Sequence, residues 1–321
     1  MRILSGDDVR AALSMREAIE AVRAGFIALS SERATVPLRH ALDQPDGVTL
    51  VMPAAMQDAP ISTTKVVSVF PGNPARGLPT IHAAVLVTDA ATGETLALLE
   101  GASLTALRTG AASGLATDLL AQPNARVLGV IGAGAQARTQ IAAVCAVRPI
   151  EAIRVYSLSG AEALAAELRQ QYDAEITVAS SGHAALHGAD VIVTATNSRT
   201  PVVGAADVSP GAHINGIGSF KPDMQEIAPD VLARAKIVVD HRASAWAEAG
   251  DLVLARDQGV ISEQDVYAEI GQVAAGTLPG RTRADAITVF KSVGNAVQDL
   301  VVAARIIEAA ADRDMGTVID L

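Results

Sequence analysis

The residues best placed to do chemistry are Gly132-Ala133-Gly134-Ala135-Gln136-Ala137, a G-x-G-x-x-A pattern. It follows an apolar run at 127–131 and opens a helical stretch at 135–147. In such a turn the first glycine allows the tight bend, and the second lets the backbone approach a pyrophosphate. The small third residue lets helix pack on strand, and the first helical amides face the phosphate. A bare glycine motif is weak evidence, but the next strand-like run at 154–157 lies at the distance a dinucleotide site needs. Gly132, Gly134, Ala135 and Gln136 are therefore candidate cofactor contacts. An NAD site commonly adds an acid about twenty residues on, gripping the ribose 2′-hydroxyl. Here the second strand runs out in Tyr156-Ser157-Leu158-Ser159, with neither acid nor arginine. Two hydroxyls and no repelling carboxylate favour NADPH, with NADH the alternative, and add Ser157, Leu158 and Ser159 to the contacts.

The elements around the motif alternate. Strand-like 127–131, helical 135–147, strand-like 154–157, helical 161–172 and strand-like 191–195 follow in order, and further β-like runs at 213–217 and 237–240 extend the series. Such alternation of buried strands with helices implies a doubly wound parallel sheet. Before Gln122-Pro123-Asn124 breaks the chain, the texture is different. Ser14 with Glu17 forms a capping box for a helix whose apolar residues include Ile19, Val22, Phe26 and Ile27. Short β-like runs follow at 48–52, 65–70, 82–88 and 95–100, the last two joined by the turn Asp89-Ala90-Ala91-Thr92-Gly93. A small-residue helix covers 104–120. Residues 286–311 read as one long helix with a stripe of Phe290, Val293, Val297, Leu300 and Val301.

Bulk properties bound the function. A chain of 321 residues is long enough for two domains, and half of it is apolar with 2% aromatics. That mix suits helices on buried strands rather than an aromatic nucleic-acid or carbohydrate surface. A formal charge of −10 removes the basic field that a phosphate backbone requires. A small anionic substrate needs only a few convergent cations. The lone Cys145 lies between Val144 and Ala146, reads as a buried small hydrophobe, and fits a reducing cytoplasm. The opening MRILSGDDVR lacks a secretory apolar core, and no apolar run approaches the ~20 residues of a membrane span.

Beyond the dinucleotide motif, the chain resembles the ornithine cyclodeaminase/mu-crystallin family over essentially its whole length. The likeness is carried by Pro37-Leu38-Arg39, Thr64-Lys65-Val66, Leu104-Thr105-Ala106-Leu107-Arg108-Thr109, the loop from Gly132 to Ala137, and Phe290-Lys291-Ser292-Val293-Gly294. The resemblance implies a homodimer of discontinuous α+β substrate and dimerisation domains, residues 1–121 plus 290–321, into which a Rossmann-type domain, 122–289, is inserted. It implies that Arg39, Lys65 and Arg108 converge on a substrate carboxylate, and that Thr109, with Arg108, and the Gly132 loop hold the cofactor. Thr80, Thr196, Gly218 and Lys291 complete the candidate cofactor set. The residue chemistry agrees: the two arginines offer planar donors, and a buried Lys65 is suited to proton donation. Each cation taken singly reads equally as surface solvation.

Gly218-Ser219-Phe220-Lys221-Pro222-Asp223-Met224 resembles the family's Δ1-pyrroline-2-carboxylate reductases. Where cyclodeaminases resemble a pattern carrying an acid, this chain has Phe220, which cannot steer a second amino group and would wall an apolar pocket for a ring. Asp223 either orients the imine or caps a turn. The expected reaction is reduction of a cyclic imino acid, to L-proline or, from the six-membered ring, L-pipecolate. Ornithine cyclodeamination, alanine dehydrogenation and non-catalytic ligand binding are the alternatives. His183 and His187 have i, i+4 spacing but no third ligand, so no metal is expected. His82, near Thr80, is a further candidate beside the nicotinamide.

Overall fold

Two capping boxes start the chain's first helices, just after the short strand β1 (Arg2–Leu4). Ser14 and Glu17 close one on α2 (Met15–Ser30), as their spacing predicts. Ser5 closes the other on α1 (Gly6–Ala12) with Asp8, a shorter acid than the usual Glu or Gln partner, so the common spacing rule misses it. Strands β2 (Ala34–Thr35), β3 (His40–Gln44), β4 (Gly47–Met56), β5 (Ile61–Val69), β6 (Ile81–Asp89) and β7 (Thr95–Glu100) follow. From β3 to β7 each strand pairs antiparallel with the next. The β6–β7 turn is tied by the Asp89 carboxylate, which accepts from the Ala91 and Thr92 amides at 2.9 and 2.7 Å. Helix α3 (Gly101–Leu120) leaves β7 directly. Gly101 is required there, because a β-carbon would stand 2.7 Å from the Ala83 backbone.

The alternating series then appears. Its members are β8 (Val127–Ile131), α4 (Ala135–Val147), β9 (Ala152–Tyr156), α5 (Ala161–Gln171), β10 (Glu175–Val178), α6 (Gly182–Leu186), β11 (Val191–Thr194) and β12 (His213–Gly216). After them come α7 (Pro229–Leu232), β13 (Ala235–Val239), α8 (Arg242–Glu248), α9 (Gly250–Asp257), β14 (Val266–Glu269), α10 (Ile270–Ala274) and β15 (Ile287–Lys291). These strands form a wholly parallel sheet in the order β10-β9-β8-β11-β12-β15-β13-β14. Two apolar clusters cover it, one with Ile141, Leu164 and Leu168, the other with Leu186, Leu232 and Leu252. Burial on both faces is why the strands read as near-continuous apolar runs. The order reverses at β8, where such sheets bind dinucleotides.

Residues 286–311 are not one helix. Ile287, Thr288 and Val289 begin β15, the chain turns at Gly294 with φ +81°, and α11 (Ala296–Asp312) starts behind the cap Asn295. Three consecutive β-branched residues favour the pleated form, and an apolar run this short fits either period. Phe290 and Val293 therefore leave the expected stripe, while Val297, Leu300 and Val301 stay on α11. The final strand β16 (Thr317–Val318) pairs with β1, giving this second sheet the order β16-β1-β7-β6-β5-β4-β2, with β3 on β4 and only the β1–β7 pairing parallel.

This computed structural model describes Met1–Asp320 and divides into two units. One is Met1–Thr109 with the chain from Asn295 onward; the other is Gly110–Gly294. The second boundary lies beyond the expected 290 because Phe290 and Lys291 pair with β12 and β13 in the parallel sheet, and the first falls inside α3 rather than at 122. In the first unit α2 packs on α11 at Gly25, where a β-carbon would meet the Val301 methyls at 3.0 Å. Gly25→Leu is expected to force the two helices apart and cost about 1–3 kcal/mol, read as a lower urea midpoint.

Candidate active site

The first unit gathers the expected cations around an acid. On β5 the side chains of Ile61, Thr63, Lys65 and Val67 turn inward. Lys65 is almost wholly buried, and its Nζ lies 2.8 Å from Asp299 Oδ2 on α11. The other carboxylate oxygen, Oδ1, accepts from Arg108 Nε at 3.2 Å. Arg108 Nη1 donates to Gln298 Oε1 at 2.6 Å, and that same oxygen accepts from the Asn295 amide. Asp299 thus holds two cations from α3 and β5, while Arg39, half-buried just before β3, acts on Lys65 through its charge.

Burial pushes the Lys65 ammonium down to about 7, helped by Arg108 and, more weakly, Arg39; Asp299 pulls the other way. An amine in that range exchanges a proton readily near neutral pH. His82 does not join the group. It pairs in register with Ser68, an outward position of β5, so strand alternation puts it on the sheet face opposite Lys65. Thr80 is half-buried, its carbonyl accepting from the Phe70 amide at 2.8 Å, and Thr109 is buried on α3.

The second unit carries the dinucleotide features. Gly132 sits at φ +116°, and a β-carbon there would meet the Ala195 carbonyl at 2.5 Å. Gly134, the N-cap of α4, has nothing within 4 Å of where its β-carbon would be. The loop is thus shut on the protein side and open at the helix N-terminus, where Gly134 and Ala135 are exposed and a pyrophosphate fits. Ala137 is fully buried against β8, and Gln136 is half-buried. At the end of β9, Ser157 is half-buried, Ser159 exposed, and Leu158 is 95% exposed, an apolar surface of the kind an adenine covers.

Beyond β11 and β12 the sequence expectations need revision. Thr196 and Gly218 do not offer free donors. Glu226 Oε1 takes the Thr196 amide and hydroxyl at 2.7 and 2.8 Å, and Oε2 takes the Gly218 amide at 2.6 Å. Lys291 is fully buried: its Nζ reaches Asp251 Oδ2 at 3.2 Å and donates to the Gly216 carbonyl at 3.1 Å. Its ammonium therefore braces β12 from within rather than presenting itself to a dinucleotide. Asp223 is on an exposed turn, paired with Arg199 at 3.0 Å. Phe220 packs against the core on the side of Leu232 and Leu252. His183 Nδ1 lies 2.8 Å from Asp207, and among the described residues no metal-holding group of three His, Cys, Asp or Glu occurs. Burial pushes the Cys145 thiol up to about 12. No helix among the described residues is long and apolar enough to cross a membrane.

Asp299, Gln298 and Asp251 are polar residues that sequence reasoning passed over, and Glu226, at the end of the Gly218 segment, was given no role. Asp299 left one signal, since it shares the apolar spacing of Ala303, Ile306 and Ala310 on α11, where a charge needs a partner. The glycine loop makes a clean test. Gly134→Val adds a side chain to open space, so the fold should keep its melting temperature while NADH affinity drops more than about tenfold, read by fluorescence titration.

Comparison with known proteins identifies the family. A family model described as "Ornithine cyclodeaminase/mu-crystallin family" matches residues 1–314. A Delta(1)-pyrroline-2-carboxylate reductase of Bacillus cereus is 38% identical, covering 98% of both chains. The structure of the Thermococcus litoralis Delta(1)-pyrroline-2-carboxylate reductase, in complex with NADH and L-proline, has a TM-score of 0.96 at 39% identity over 99% of this chain and 100% of that one. An archaeal alanine dehydrogenase dimer with bound NAD has a TM-score of 0.94 at 36% identity, covering 100% of this chain and 99% of its own. By the extent of these matches, this chain belongs to the ornithine cyclodeaminase/mu-crystallin family.

Proposed function

We propose that the chain is a nicotinamide-dependent reductase of cyclic imino acids, converting Δ1-pyrroline-2-carboxylate to L-proline and, from the six-membered ring, Δ1-piperideine-2-carboxylate to L-pipecolate. The observation that carries the reading is the buried Lys65, held at 2.8 Å by Asp299 and flanked by Arg108. Arg39 and Arg108 bind the substrate carboxylate through their planar donors. A bound reduced dinucleotide supplies a hydride to the imine carbon. Lys65 delivers a proton to the imine nitrogen, so that C=N becomes CH–NH and the charges balance. Phe220 in place of an acid speaks against ornithine, which brings a second amine to be steered. The likeness to reductases of this name, one solved with NADH and L-proline, supports the same substrate class.

For the cofactor, solved relatives hold NADH or NAD. The β9–α5 turn, with Ser157 and Ser159 and no carboxylate between them, favours NADPH binding at least as tightly as NADH. The partner is a second copy of the chain. Strand alternation puts Leu42, Val66, Leu86, Leu98 and Ile3 on the outward sheet face, where all but Leu98 are exposed. The dimeric alanine dehydrogenase relative supports this reading.

Five outcomes are expected. In a panel of cyclic imines, pyruvate with ammonia, and ornithine, followed at 340 nm with both cofactors, the cyclic imines turn over fastest; turnover confined to ornithine or to pyruvate with ammonia would reverse the assignment. Lys65→Met lowers kcat about 10²–10⁴-fold with dinucleotide affinity kept. A donor must hold its proton, so kcat/KM falls as pH rises through about 7. Asp299→Asn removes the opposing negative charge and moves that fall to lower pH. Finally, sedimentation gives twice the 32.8 kDa chain mass, and Val66→Asp with Leu86→Asp reduces it to one chain.

A further inference from the structure

Glu226 is the most heavily bonded carboxylate of the parallel-sheet unit, and it closes the segment that begins at Gly218. It is fully buried, yet besides the Thr196 and Gly218 contacts its Oε2 takes the Thr194 hydroxyl at 2.9 Å and the Ser219 amide at 3.2 Å. Those donors come from the end of β11 and the loop leaving it, and from the loop leaving β12. The loops approach so closely that a β-carbon on Gly218 would stand 2.0 Å from the Thr196 carbonyl. Glu226 is itself fixed from below. Asp251 Oδ1 accepts from the Glu226 and Ile227 amides at 2.6 and 2.9 Å, and Lys291 pairs with Asp251.

A buried carboxylate surrounded by donors makes a stiff anchor, because any loop movement strands a charge without partners. The adenosine half of a dinucleotide lies on the β8–β9 side of the switch point, so its nicotinamide half falls over the ends of β11 and β12. We infer that Glu226 is a positioning residue for the nicotinamide half of the dinucleotide site, acting through the Thr194–Thr196 and Gly218–Ser219 backbones without touching the ligand. This rests on the proposed dinucleotide dependence. It adds a division of labour: the glycine loop holds the pyrophosphate, and a charge beneath the sheet's end shapes the place of the reacting ring.

The test separates the two halves of the ligand. Glu226→Gln replaces one acceptor oxygen with an amide that faces existing donors. NADH, titrated by its fluorescence, should bind about tenfold more weakly or worse, while ADP-ribose, titrated by calorimetry, stays within about twofold of the parent. Equal weakening of both ligands would mean a general structural role and overturn the inference, as would unchanged NADH binding. Thr194→Val covers the case in which the first variant does not fold. Its side chain is fully buried and bonds Glu226, so the same split at about threefold supports the inference, and unaltered NADH affinity overturns it. A parent chain that binds ADP-ribose but not NADH sinks this inference together with the proposed function; a parent that binds both while the variants match it sinks the inference alone.

Discussion

The structure depends on burying charge only where another group answers it. Asp299 takes one cation on each carboxylate oxygen, and neither Lys65 nor Arg108 reaches bulk water to any useful extent. Taking such ions out of water costs several kcal/mol each unless geometry repays it. The return is an amine whose proton is loosely held near neutral pH, which an exposed lysine cannot provide. In the proposed reaction the same desolvation that makes Lys65 a costly core residue makes it a usable acid.

The parallel-sheet unit solves a similar problem with the opposite sign. Glu226 and Asp251 would repel one another, and burial raises the affinity of Glu226 for a proton. Lys291 and the surrounding amides and hydroxyls pull the other way, with burial the larger influence. His213, pushed down to about 3 by burial, remains a neutral hydrogen-bonding group between Thr288 and Asn215. Each unit therefore pairs its central buried charges, one around two cations and one around two carboxylates.

How much of this could be read beforehand follows from range. The glycine loop was legible because its requirements are local: a positive φ at Gly132 and a bare backbone at Gly134. The capping box at Ser14 and the turn at Asp89 are local too. Arg39, Lys65 and Arg108 stood out only through the family resemblance, since a single cation in a strand or helix carries no mark of burial. Asp299 showed only its place on an apolar stripe, and its partner could not be named because that arginine lies 191 residues away in the chain. The segment from Ile287 to Gly294 was misread for another reason, as a short apolar run satisfies strand and helix periodicity alike. Lys291 was assigned to the ligand on its motif, but burial turned it into a brace.

The interrupted first unit also sets an order of assembly. Gly110–Gly294 is continuous and needs no later residue to complete its sheet, so it is free to fold as a body while synthesis proceeds. The meander that carries Lys65 is made earlier but lacks α11, and with it the carboxylate that satisfies its ammonium. Until the ribosome has delivered that last helix, the nascent β5 holds an unanswered positive charge on what will become its inner face. The pair of Lys65 with Asp299 thus waits for a segment made well after its own strand, and a chain arrested before Asn295 would leave that ammonium without its carboxylate.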